Sequence, residues 1–299
     1  MRTPFTGVGT ALVSPFTRGG SLDEAAVRRL ARRQIDAGVH FLCPCGTTGE
    51  SPTLTDAERL RTVEIVADEA NGRVPVLAGA GGYDTKEVLH LAGEMQKAGA
   101  SGLLSVTPYY NKPTQEGLYQ HYRAIAEHTS LPIIVYNVPG RTGVNVEAAT
   151  LVRLAAVPHI VGVKEASGNV TQMCEICRAV PPDFLVLSGD DALTLPLMAV
   201  GGRGIISVAG NEIPAEMVQM VEAAERNDFA AAREIHARIL PLMLANFVES
   251  NPIPVKAAMA AMGLIEQVYR LPMVPPQNSS VEKIHKVLRE LGLLKGALV

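Results

Sequence analysis

The chain has 299 residues, 47% hydrophobic and 19% charged, which suits one large α/β domain or two ordinary ones and excludes a disordered polymer. A formal net charge of -3 without a long run of like charges excludes nucleic acid as a partner and leaves small-molecule chemistry. No window of about 18 uncharged apolar residues occurs, and the opening MRTPFTGVGTALVSPF has no basic stretch leading into a long apolar one, so no membrane association and a cytoplasmic location are expected.

In chain order, apolar runs of strand length fall at 8–13, 39–45, 74–78, 102–106, 131–136, 160–164, 184–187 and 204–208. They are rich in Val, Ile and Leu, as strands buried on both faces are, and amphipathic stretches of helical length separate them. Capping-box pairs at Ser21/Glu24, Thr55/Glu58 and Asp84/Glu87 predict helix starts. Gly38, Gly72, Gly99 and Gly202 stand where left-handed caps would end helices before the next strand. Eight β/α pairs match a closed (β/α)8 TIM barrel, an α/β fold, better than an open doubly wound sheet. Beyond them the pattern turns helical near 229–247, 253–263 and 280–292. The expected division is therefore a catalytic barrel, 1–228, and a C-terminal helical extension, 229–299.

Catalytic groups in such a barrel sit where strands end and βα loops begin. The sixth run, Ile160-Val161-Gly162-Val163-Lys164-Glu165, carries a lysine near the end of an otherwise apolar strand, where lysine is depleted. Alternation places Lys164 on the face of Gly162; if that face is the inner one, the amine points into the barrel. A strand-end lysine ordinarily pairs with a carboxylate or leads its amine out to water. Desolvation inside a barrel instead favours the neutral amine that nucleophilic attack requires.

The neighbouring strand ends support the second reading. The fifth run ends Tyr136-Asn137-Val138-Pro139-Gly140-Arg141-Thr142, offering a phenol to relay protons and a guanidinium to hold a carboxylate. The second ends Gly46-Thr47-Thr48-Gly49-Glu50, whose glycines permit close backbone approach while N–H groups and two hydroxyls grip an anion. The fourth contributes Thr107-Pro108-Tyr109-Tyr110. Each motif alone is weak; together they describe an anion-binding, proton-relaying lysine site.

These motifs, with Asn251-Pro252-Ile253-Pro254-Val255-Lys256, resemble those of the pyruvate-dependent Schiff-base aldolase and N-acetylneuraminate lyase superfamily, and within it the dihydrodipicolinate synthase family, over essentially the whole chain. The resemblance implies condensation of pyruvate with L-aspartate-4-semialdehyde to 4-hydroxy-tetrahydrodipicolinate, without metal or other cofactor. It further implies that Lys164 forms the Schiff base, that Tyr136, Thr47 and Tyr110 relay protons, and that Tyr110 reaches a neighbouring subunit in a homotetramer built as a dimer of dimers. Thr48 would hold the pyruvate carboxylate and Arg141 that of the semialdehyde, with Gly189 and Ile206 lining the pocket.

Another pyruvate aldolase of the superfamily, an N-acetylneuraminate lyase or a 2-keto-3-deoxy sugar acid aldolase, could use the same lysine. Arg141 and Thr47 favour the small acidic aldehyde. A metal or redox reading of Cys174-x-x-Cys177 lacks a second ligand pair, and all four cysteines are expected reduced. Cys43 and Cys45 share one strand face by alternation, and Asp190-Asp191 is read as loop structure. The family's feedback site for lysine corresponds to Ser51, Asp56, Arg59, Tyr83, Glu87 and Tyr109. Asp56 and Tyr83 replace the histidine and asparagine of lysine-sensitive relatives, so weak or absent inhibition is expected.

Overall fold

A computed structural model describes residues 4–294; residues 1–3 and 295–299, the outer ends of the two expected units, lie outside the described residues. The apolar runs form eight parallel strands: β1 Gly7–Ala11, β2 Phe41–Cys43, β3 Leu77–Gly79, β4 Gly102–Val106, β5 Ile133–Asn137, β6 Ile160–Glu165, β7 Leu185–Ser188 and β8 Gly204–Ser207. They pair in the order β2-β1-β8-β7-β6-β5-β4-β3. The last seam closes through the Leu42–Val76 bridge: the Leu42 N–H donates to the Pro75 carbonyl at 3.0 Å and the Gly79 N–H to the Pro44 carbonyl at 2.9 Å. Closure leaves no free edge and brings all eight strand ends to one mouth.

The helices are α1 Glu24–Asp36, α2 Asp56–Ala70, α3 Thr85–Lys97, α4 Gln115–His128, the single turn α5 Pro139–Thr142, α6 Ala148–Ala155, α7 Val170–Ala179, α8 Thr194–Ala199, α9 Pro214–Glu225, α10 Phe229–Ala245, α11 Ile253–Ala261 and α12 Asn278–Glu290. In α1 the buried residues Ala26, Val27, Leu30, Ala31 and Gln34 recur at helical spacing, so one stripe faces the barrel. At α2 the expected capping box is complete: Thr55 accepts from the Glu58 N–H, and Glu58 accepts from the Thr55 N–H.

Three local expectations are corrected. The cap of α1 is Asp23, which accepts from the Ala26 N–H at 2.9 Å; Ser21 is held upstream by the Phe16–Leu22 bridge and its carbonyl accepts from the Thr17 N–H. Asp84 caps α3 alone, accepting from the Lys86 N–H, while Glu87 turns towards a surface cavity. After α8 the left-handed residue is Gly201, with φ 114, whereas a Cβ on Gly202 would lie 2.9 Å from the Leu197 carbonyl oxygen. Gly202 is required there by crowding and not by handedness.

Apolar side chains lie on both sides of the strand wall. On β5, Ile133 and Val135 pack outward against the helices, and Ile134 and Tyr136 pack inward with Phe41, Leu104, Leu187 and Ile206. Gly9 makes room for the Phe41 ring, which a Cβ would meet at 2.0 Å. Cys43 belongs to the inner cluster and Cys45 to the outer one, because the strand ends at Cys43 and Cys45 turns left-handed with φ 59; they do not share a face. Val255 and Met259 of α11 pack with Val13, Leu30 and Val208, fastening the C-terminal helices over the β1–β8 side of the mouth.

His121 of α4 is 5% exposed, bonded only to the Thr85 hydroxyl at 2.9 Å, and burial pushes its imidazole down to about 4. The unfolded chain binds this proton near the ordinary value of about 6.5 and the folded one does not. Stability from this group is therefore present above pH 6.5 and is lost as pH falls towards 4, by about 3 kcal/mol. His121→Gln should show a shallower fall of the thermal midpoint than the parent across that window, measured by scanning calorimetry at successive pH values.

Candidate active site

Parallel register sets Tyr136 beside Lys164 and Asn137 beside Glu165 at the ends of β5 and β6. Lys164 is 4% exposed and its Nζ lies 4.3 Å from the centre of the Tyr136 ring. The expected inward face is the observed one: Gly189, after β7, leaves space against the lysine stem, where a Cβ would come within 3.0 Å of Lys164 Cε. Ile206 is fully buried in the same inner cluster as Tyr136. Of the two buried lysines, Lys256 pairs with Glu50, whereas Lys164 has no carboxylate partner among the described residues. Its amine is thus held against a phenol, free of an ion pair, at the end of the barrel where βα loops converge.

A polar network that the sequence did not reveal backs this pair. The Asn137 amide donates to Glu165 Oε2 and to Asn145 Oδ1, both at 2.9 Å, and its Oδ1 accepts from the Val146 N–H. Glu165, fully buried, also accepts from the Ser167 N–H at 2.7 Å and the Gln172 amide at 3.3 Å. Asn137 and Glu165 are the immediate chain neighbours of Tyr136 and Lys164, so the network fixes the two strand ends from behind. The one available signal was a carboxylate directly after the lysine in an apolar strand.

The 46–50 loop is a tight turn in which the Gly49 and Glu50 N–H groups donate to the Gly46 and Thr47 carbonyls, each at 3.1 Å. Thr48 is buried and its hydroxyl oxygen accepts from the Asn251 amide at 3.0 Å. Thr47 is half-buried and, with Gly79, Leu104 and Tyr136, lines a cavity of about 40 Å³. Arg141, exposed on α5, donates to the Asn251 carbonyl at 3.1 Å. These groups gather round one mouth. Tyr110 does not join them: it is 93% exposed, left-handed with φ 70, and turned outward.

Five of the six residues assigned to a feedback site, Asp56, Arg59, Tyr83, Glu87 and Tyr109, line one cavity of about 860 Å³. Ser51 joins them through its carbonyl, which accepts from Arg59 at 2.7 Å. Arg59 also pairs with Asp56 at 3.3 Å, and Tyr83 meets Tyr109 edge-to-face at 5.3 Å. Burial raises the Tyr109 phenol. Of the loop aspartates, Asp190 caps the turn at Ala192, and Asp191 accepts from the Ser207 hydroxyl and the Val208 and Ala209 N–H groups. The four cysteines are free.

Fold and site together define a parallel (β/α)8 barrel with an unpaired lysine at the C-terminal ends of its strands. The dihydrodipicolinate synthetase family model matches residues 4–291, and the chain belongs to that family. It is 53% identical over 294 residues to the 4-hydroxy-tetrahydrodipicolinate synthase of Koribacter versatilis (strain Ellin345), covering 98% of each chain. The crystal structure of dihydrodipicolinate synthase from Thermotoga maritima superposes with a TM-score of 0.96 at 47% identity, over 98% of this chain and 100% of that one. The chloride-inhibited dihydrodipicolinate synthase from Acinetobacter baumannii, complexed with pyruvate, superposes with a TM-score of 0.95 at 40% identity, over 98% of this chain and 100% of that one.

Proposed function

We propose that the chain condenses pyruvate with L-aspartate-4-semialdehyde through a Schiff base on Lys164, giving 4-hydroxy-tetrahydrodipicolinate, the first committed step of diaminopimelate and lysine biosynthesis. The observation that carries this reading is the Lys164 amine, buried, free of a carboxylate and set against the Tyr136 ring. Nζ adds to the pyruvate ketone and water leaves, forming the imine. Loss of a methyl proton gives the enamine, whose carbon bonds to the aldehyde carbon. The amino group of the semialdehyde then displaces Lys164 as the ring closes. Covalent catalysis divides a difficult carbanion step into two easier ones.

On this reading Tyr136, Thr47 and Tyr110 of the partner subunit move the protons, and the Thr48 hydroxyl and 46–50 backbone hold the pyruvate carboxylate. Arg141 receives the semialdehyde carboxylate, and Gly189 and Ile206 shape the pocket. The outward Tyr110, 93% exposed, supports contact with a partner subunit and, on this reading, a homotetramer of two dimers. Among the described residues no helix is long and apolar enough to cross a membrane, which accords with a cytoplasmic location. We further propose the division of the chain at residue 228.

Purified protein should turn over pyruvate with aspartate semialdehyde and not with N-acetylmannosamine; the reverse preference overturns the substrate assignment. Arg141→Ala should lower kcat/KM for the aldehyde by about 10- to 100-fold, the loss of a charge-assisted contact of roughly 1.5–3 kcal/mol, and leave the pyruvate KM within about twofold.

Asp56, paired with Arg59, and Tyr83, set against Tyr109, line the second cavity with a charge and a ring where lysine-sensitive relatives carry histidine and asparagine. Weak or absent inhibition follows. Initial rates should stay within about twofold of the uninhibited value across millimolar lysine, and strong sub-millimolar inhibition would contradict this.

A further inference from the structure

We propose that the buried Glu50–Lys256 ion pair is a positioning device, supplied by the C-terminal helices, that holds the 46–50 loop in the shape required to grip pyruvate. This rests on the reading of that loop as the carboxylate-binding element. Glu50 is the last residue of the loop and is itself left-handed, with φ 51. Its Oε1 meets Lys256 Nζ at 2.5 Å, with side-chain exposures of 1% and 0%. The pair spans 206 residues of sequence and joins α11 to the loop that follows β2.

Two further residues of the C-terminal region, Asn251 and Arg270, reach the same loop and its continuation. The Asn251 amide donates to the Thr48 hydroxyl oxygen, which leaves the hydroxyl hydrogen free to be donated to a substrate carboxylate. Arg270 donates to the Thr53 carbonyl at 2.9 Å and to both oxygens of Glu58, whose carboxylate also accepts from the N–H of Thr55, the cap of α2. Phe16 lies between the two cations, 4.3 Å from Lys256 Nζ and 4.2 Å from Arg270 Cζ. The loop is therefore fastened at Thr48, at Glu50 and at Thr53 from one side, while Thr47 is left half-buried towards Tyr136.

Stability does not account for this arrangement. Desolvating both charges offsets much of their attraction, and apolar replacements of buried pairs are often neutral or stabilising. Glu50 Oε2 has no partner among the described residues, and burial pushes the Lys256 ammonium down against the opposing pull of Glu50, so the pair is incompletely compensated. What it supplies is a fixed distance between a helix backbone and a left-handed loop residue, which an apolar contact would hold less tightly.

The test compares Lys256→Met and the double variant Glu50→Gln/Lys256→Met with the parent, measuring pyruvate KM, aldehyde KM, kcat and thermal midpoint. Lys256→Met should lower the midpoint and raise the pyruvate KM at least tenfold, with kcat within about threefold. In the double variant, where no charge is orphaned, the midpoint should return towards the parent value while the pyruvate KM stays raised and the aldehyde KM is unchanged within about twofold. A merely structural role would move midpoint and KM back together, and a double variant with the parent pyruvate KM overturns the proposal. If the single variant does not fold, the double decides; if neither folds, the pair belongs to the fold and the proposal is wrong. Borohydride trapping of the parent with pyruvate separates the two levels: loss of trapping at Lys164 would sink the functional reading, whereas normal trapping with an unchanged KM in the double variant would sink only the positioning role.

Discussion

A lysine amine inside a closed parallel barrel, with a phenol ring 4.3 Å away and no carboxylate partner among the described residues, is the constraint around which the rest of the molecule is arranged. An ordinary buried lysine is tied down by an ion pair, as Lys256 is by Glu50. Lys164 is held instead by shape: strand register against Tyr136, the missing side chain at Gly189, and the anchoring of Asn137 and Glu165 behind it. Such support leaves the amine unengaged, as the proposed nucleophilic role requires.

The surrounding architecture follows from that need. A parallel barrel places every strand's C-terminal end at one face, so the second and fifth strands can bring hydroxyls, a phenol and a guanidinium to the lysine without long loops. The cost of this economy is that the short 46–50 loop must be braced from outside the barrel. Residues 251–270 do so, which ties the C-terminal helices to the chemistry as well as to the β1–β8 side of the core.

Much of this was legible in the sequence because local pattern and global fold agree. Each apolar run became a strand, Thr55 and Glu58 formed their capping box, and alternation placed Lys164 on the inner face. Failures occurred where non-local packing decided between similar local options. Ser21 and Asp23 are both good caps, and a bridge between Phe16 and Leu22 selects the second. Gly201 and Gly202 are adjacent glycines, and only the approach of Leu197 assigns their roles. Cys45 left the face of Cys43 because the strand stops early. The Glu50–Lys256 pair had no periodic signature, since its partners meet only after the chain has closed the barrel.

On the proposed mechanism Lys164 is the residue that bonds to the substrate ketone. Incubation with pyruvate and borohydride, followed by peptide mass mapping, tests it most directly. One equivalent of reduced pyruvyl adduct is expected on the peptide carrying Lys164 and none in Lys164→Met. An adduct on another lysine, or undiminished labelling of the variant, would contradict it.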